Sequence, residues 1–248
     1  MKPAHVDILT YHQPDGIDLK MHILQAKPAK ENTSPAIIAF HGGSWIKGEP
    51  PALYDLFGHL VRQGITVFLP QYRLINTHEV TILDLIDDAR AAVKWVHEHG
   101  GQYQLDPKRI GLAGGSAGAH LALNTYLKPI DPPLPKPAFF ICGNPVIDSS
   151  KSGYGSSFCG EQAESVSPLH QLQPGIPPTL ILHGSSDTTT PVEGIRAYTK
   201  QAEANGDVCK LIEYEGEVHG FFNRPENHQS VTGHMIEFLK NQGMLASR

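Results

Sequence analysis

A mostly parallel α/β sheet with helices on both faces is the fold this sequence predicts, on three observations. Short apolar, β-branched runs alternate with longer stretches of helical period along most of the chain. The central runs are apolar almost without interruption, the pattern of parallel strands buried on both faces. The glycine-marked polar motifs fall just beyond the ends of those runs, where sheets of this kind gather their sites.

In chain order the predicted strands span 19–25, 36–40, 65–69, 109–113, 138–142, 179–183 and 209–214, and the middle five are the apolar runs. Predicted helices span 54–63, 83–99, 117–127, 192–205 and 234–241. In the second of these, Leu85, Ala89, Ala92, Val93 and Val96 recur at three- and four-residue spacing, one buried stripe. Gly100 and Gly206 read as helix stops. Such alternation gives a doubly wound sheet.

The 248 residues fit a single domain, 1–248, and 40% hydrophobic with 18% charged residues is a balance that builds a sizeable core. A formal charge of −5 and the lack of any Lys/Arg run argue against nucleic acid or an anionic membrane as partner. Cys142, Cys159 and Cys209 form no C-x-x-C pair and suit a reducing compartment. The start, Met-Lys-Pro-Ala-His-Val-Asp, lacks the apolar stretch of a signal peptide, and no segment reaches the ~20 apolar residues of a membrane span. A cytoplasmic location is expected, or a secreted one if a leader has been removed.

Four motifs carry the chemistry. Gly114-Gly115-Ser116-Ala117-Gly118 fits G-x-S-x-G between the strand ending at Ala113 and the helix opening at Ala117, the setting of a nucleophile elbow. Small residues also cluster in many strand–helix turns for close packing alone, so the context matters more than the pattern. His41-Gly42-Gly43-Ser44-Trp45 follows the strand 36–40, and a glycine-rich turn there exposes N–H donors for a developing oxyanion. The hole is assigned to the N–H groups of Gly43, Ser44 and Ala117, with Trp45 and Gly115 expected against the substrate; the plainer reading of Trp45 is a core side chain in a β-turn.

His183-Gly184-Ser185-Ser186-Asp187 places a carboxylate just past a buried strand, and Glu217-Val218-His219-Gly220-Phe221 a histidine past the last one. The chain order Ser116, Asp187, His219 is the order of α/β-hydrolase triads. His219 takes the serine proton and Asp187 fixes its tautomer. Asp148 is the next-best acid. His41 is expected to be buried and bonded to backbone, His183 to shape its turn, and His97 and His99 to be solvated. Acyl transfer needs only Ser, His and backbone donors, so no cofactor is expected. Fourteen histidines without an H-E-x-x-H or a Cys/His cluster give no metal site.

Together these motifs, with Gly-Gly-Ser-Ala-Gly-Ala-His-Leu-Ala and Gln71-Tyr72-Arg73-Leu74, resemble the α/β-hydrolase esterases related to hormone-sensitive lipase. The likeness runs from about Leu19 to about Leu239 and is nearest to the acetyl-xylan and feruloyl esterase and kynurenine formamidase branch. It implies the α/β-hydrolase fold and carboxylester hydrolysis through an acyl-enzyme. It supports the same triad and oxyanion hole, and a structural role for Arg73. Two departures stand out: Ser44 replaces a third glycine, and the 40 residues before His41 are too few for a large cap. The insertion 145–178, rich in proline, makes a small flap.

The expected substrate is a small-molecule or carbohydrate ester with a short acyl group, such as an acetyl group on a sugar. An arylformamidase or peptidase would use the same machinery. From another class, a non-catalytic binding module on a hydrolase scaffold is weighed against the intact triad. The oligomeric state is left open.

Overall fold

The computed structural model describes residues 5–27 and 33–246. Its strands are β1 (Asp7–His12), β2 (Leu19–Leu24), β3 (Ser34–Phe40), β4 (Thr66–Pro70), β5 (Leu105–Gly115), β6 (Phe140–Gly143), β7 (Thr179–Gly184) and β8 (Cys209–Tyr214). Helices α1 (Tyr54–Val61), α2 (Ile75–His78), α3 (Ile82–His99), α4 (Ala117–Leu127), α5 (Ser156–Cys159), α6 (Pro168–Gln171), α7 (Val192–Ala204) and α8 (His228–Asn241) connect them. The strands form one sheet in the order β1-β2-β4-β3-β5-β6-β7-β8. The pairs β1/β2 and β2/β4 are antiparallel, and the remaining pairs are parallel. This is the α/β-hydrolase fold.

The apolar runs are continuous because each strand feeds two cores. Along β3, Ala36, Ile38 and Phe40 pack on one face with α3 and α4, while Ile37 and Ala39 pack on the other with α1 and α8. Helix α3 starts with a capping box, in which Thr81 and Asp84 satisfy each other's orphan groups. The turn after β4 is tied to that helix by Arg73. Its guanidinium meets the fully buried Asp88 at 2.9 Å and reaches Asp15 beyond β1 at 2.8 Å. Losing one partner of such a buried pair leaves an uncompensated charge, which costs about 3–5 kcal/mol. Arg73 is structural.

Several expectations are corrected. Strand β1 was not anticipated, because an edge strand with Ile8 exposed shows little apolar signal. Helix α8 begins at His228, six residues before the predicted start. Helix α3 does stop at His99, but its cap Gly100 is right-handed and the left-handed residue is Gln104. His97 is half-buried, and burial lowers its imidazole pKa; His99 is exposed and stacks on Trp95 at 4.4 Å. The segment 145–178 is folded onto the core through Cys159, Val166, Leu172 and Ile176, with α5 and α6 inside it. The three cysteines are free and buried. No helix among the described residues is long and apolar enough to cross a membrane.

Candidate active site

Ser116 stands at the tip of the turn from β5 to α4 with φ 53° and ψ −121°, a left-handed conformation costly for a residue with a side chain. The flanking glycines make that turn sterically feasible. A Cβ on Gly118 would lie 2.1 Å from the Phe40 carbonyl oxygen, and one on Gly114 would lie 2.4 Å from the Gly118 carbonyl carbon. The turn is held by the Ser116 N–H, which donates to the Gly143 carbonyl at 2.9 Å.

The loop after β8 carries His219 to this point. Its Nε2 lies 2.9 Å from Ser116 Oγ, and its Nδ1 lies 2.7 Å from Asp187 Oδ2. A carboxylate oxygen can only accept, so the proton sits on Nδ1 and leaves the lone pair of Nε2 facing the hydroxyl. Asp187 is buried at the turn after β7. Burial pushes its carboxyl up, but hydrogen bonds from His219 and from the Thr190 backbone and hydroxyl outweigh this and hold it well below the ordinary range. A depressed carboxyl is charged above its own low pKa, so at any pH above about 4 the acid is already an anion.

The loop 42–45, expected to carry oxyanion donors, lies against Ser116: a Cβ on Gly42 would come within 3.3 Å of Ser116 Cβ. Gly43 adopts φ 124°, Ser44 φ 56° and Trp45 φ 62°, and the Gly43 carbonyl accepts from Ile46 and Lys47. Among the described residues no backbone hydrogen bond uses the N–H of Gly43 or Ser44, and that of Ala117 is the free first donor of α4. Beneath them His41 is neutral: burial lowers it to about 4, while its Nδ1–H donates to the Gly42 carbonyl at 2.8 Å. Tyr72 stacks on it at 4.2 Å and donates to its carbonyl.

Two substrate assignments are corrected. Trp45 is 0% exposed, because two successive positive φ angles turn it back into the core against His120, Tyr154 and Phe158. Gly115 is also buried, its α-carbon facing the Phe222 ring. Both form the wall behind the site. Asp148 lies apart from His219 and binds within its own segment, to the Ser150 N–H at 2.8 Å and to the Ser167 hydroxyl. His183 donates from Nε2 to the Thr190 carbonyl at 2.9 Å and so shapes the acid turn.

Two features escaped the sequence reading. The Ser44 hydroxyl pairs with the Tyr154 hydroxyl at 2.6 Å, joining the oxyanion loop to the flap. Asn144, fully buried after β6, donates its amide to Asp187 Oδ2 at 2.6 Å and accepts from the Gly220 N–H at 3.3 Å. An Asn-Pro pair after a short strand reads only as a turn. A cavity of about 160 Å³ opens beside this group, bounded by Tyr154, Thr190, Ile147, Asp148, Pro191 and Ile195. No cluster of three His, Cys, Asp or Glu side chains suited to a metal ion occurs among the described residues.

An α/β-hydrolase sheet with a serine, a histidine and a buried carboxylate in hydrogen-bonded series defines the class of serine-hydrolase folds. Comparison narrows it. The family model BD-FAE matches residues 21–129, and the model described as TAP-like protein matches residues 153–246. The apo form of Thermogutta terrifontis esterase 2 superposes with a TM-score of 0.91 at 31% identity, covering 100% of this chain and 98% of that one. That esterase is also known phosphorylated by paraoxon and with propionate or butyrate bound. The Arabidopsis thaliana isoprenylcysteine alpha-carbonyl methylesterase ICME is 29% identical over 220 residues, 76% of this chain and 51% of its own length. Mycobacterium tuberculosis esterase LipQ is 28% identical over 67% of this chain and 45% of its own. The chain spans about half the length of the curated relatives it matches. It belongs to the α/β-hydrolase esterase family.

Proposed function

We propose that this chain is a serine esterase that hydrolyses short-chain carboxylic esters through an acyl-enzyme on Ser116. The observation that supports it is the series Ser116 Oγ, His219 Nε2, His219 Nδ1 and Asp187 Oδ2, joined at 2.9 and 2.7 Å. In this reading His219 removes the serine proton as Oγ attacks the ester carbon. The N–H groups of Gly43, Ser44 and Ala117 receive the oxyanion, and the dipole of α4 favours its charge. His219 then returns the proton to the departing alcohol. A water molecule, activated by the same imidazole, releases the acid.

A cavity adjoining the site supports a small substrate. About 160 Å³ is comparable to a cavity that holds one benzene ring (about 150 Å³), so it suits a small acyl or alcohol group. Its walls touch the site through Tyr154, bonded to Ser44, and Thr190, bonded to Asp187. Two relatives are consistent with this: one has been found with propionate and with butyrate bound, and another is named a methylesterase. The resemblance to the acetyl-xylan and feruloyl esterase branch related to hormone-sensitive lipase supports an acylated carbohydrate as natural substrate.

The test is a series of p-nitrophenyl esters. kcat/KM is expected to be highest for acetate to butyrate and to fall by octanoate. A long apolar groove would instead add about 0.8 kcal/mol, near fourfold, for each buried methylene. A steady rise of that size through decanoate would turn the assignment toward a lipase.

A further inference from the structure

We propose that Asn144 is a positioning residue of the reaction, its side-chain amide holding the acid and the base of the triad in one register. The inference rests on the esterase reading for its kinetic test, though not for its structural one. Residues 143–146 touch Ser116, Asp187 and the residue next to His219. The Gly143 carbonyl accepts from the Ser116 N–H at 2.9 Å, and the Val146 N–H donates to the Ser116 carbonyl at 3.3 Å. Between them, the Asn144 amide nitrogen reaches Asp187 Oδ2, the same oxygen that accepts from His219 Nδ1. Its amide oxygen receives the N–H of Gly220, the residue after the base. The chemistry fixes which way the amide points, because a carboxylate requires a donor and an N–H requires an acceptor. The Thr190 hydroxyl also reaches both partners, at 2.9 Å from Asp187 Oδ2 and 3.4 Å from His219 Nδ1, but from the acid's own loop; Asn144 comes from the loop after β6.

The backbone of Asn144 strengthens the case. It has φ 41° and precedes Pro145, two features that each disfavour a residue with a Cβ, and its side chain is fully buried. Its own N–H is spent on the Leu182 carbonyl at 2.9 Å. Strain of this kind persists where the surroundings over-determine it, commonly at functional sites. Asparagine tolerates the left-handed region better than most residues, but glycine tolerates it best. If the turn alone mattered, glycine would serve. The amide is what glycine lacks.

That contrast supplies the experiment. Asn144→Gly keeps the backbone geometry and deletes the clamp, while Asn144→Ala deletes the clamp and adds strain. Both variants are expected to lose on the order of 10² in kcat on p-nitrophenyl acetate, with KM within about twofold, since misplacement of reacting groups by about 1 Å costs that much. Asn144→Gly should melt at or above Asn144→Ala, so the loss cannot be ascribed to unfolding. A second readout needs no turnover: the downfield proton resonance of the hydrogen bond between His219 Nδ1 and Asp187, which should broaden or vanish in Asn144→Gly. Wild-type kcat in Asn144→Gly, or a resonance as sharp and unshifted as in the parent, would overturn the proposal. An inactive parent whose resonance still broadens in the variant would remove the esterase reading and leave the clamp standing.

Discussion

Ser116→Ala is expected to lower kcat on p-nitrophenyl acetate by at least ~10³, because the covalent route is lost while binding and the oxyanion donors remain. The substitution deletes one oxygen from a site whose geometry is set by main chain. The turn is held by the bond from the residue-116 N–H to the Gly143 carbonyl and by the close approach at Gly114 and Gly118, none of which uses the hydroxyl. The melting temperature should therefore move little while activity collapses. A variant that keeps a tenth of the parent's kcat would remove Ser116 from the chemistry.

Asp187→Asn carries the largest expected effect, on the order of 10⁴ in kcat. The carboxylate accepts from the N–H groups of Thr189 and Thr190, the Thr190 hydroxyl, the Asn144 amide and His219 Nδ1. An amide in its place must turn an NH2 toward one of these donors. If that NH2 faces His219, the imidazole presents a proton instead of a lone pair to Ser116, and the base is lost. Asp148→Asn should be mild by comparison, since Asp148 binds Ser150 and Ser167 within the flap and does not reach His219. Were the two effects reversed, the acid would have to be moved to Asp148.

Much of this site was legible because Ser116 and Asp187 follow apolar strands and all three triad residues sit at glycine-marked turns. In a doubly wound sheet such turns converge at the carboxyl edge, so local signals were enough to assemble distant residues. Asn144 lacked any such signal: its partners lie 43 and 76 residues further on, and only the sheet order brings them together. Trp45 was misplaced for a different reason. Its neighbours suggested the oxyanion loop, but the direction of its side chain depends on positive φ values at Ser44 and Trp45, residues that do not advertise them. The start of α8 was hidden by Gly233 and polar neighbours, although Val231, Met235 and Phe238 keep a helical spacing and are buried. Strand β1 depends on pairing with β2 more than on its own burial.

The central claim is that Ser116 is the nucleophile, and the adduct left by paraoxon tests it most directly. The account predicts one diethylphosphoryl group per chain, with p-nitrophenolate released in the same amount. Peptide mass spectrometry should place it on Ser116, and Ser116→Ala should take up none. Full inactivation with the adduct on another residue, or an unlabelled chain that still hydrolyses p-nitrophenyl acetate after prolonged exposure, would contradict it.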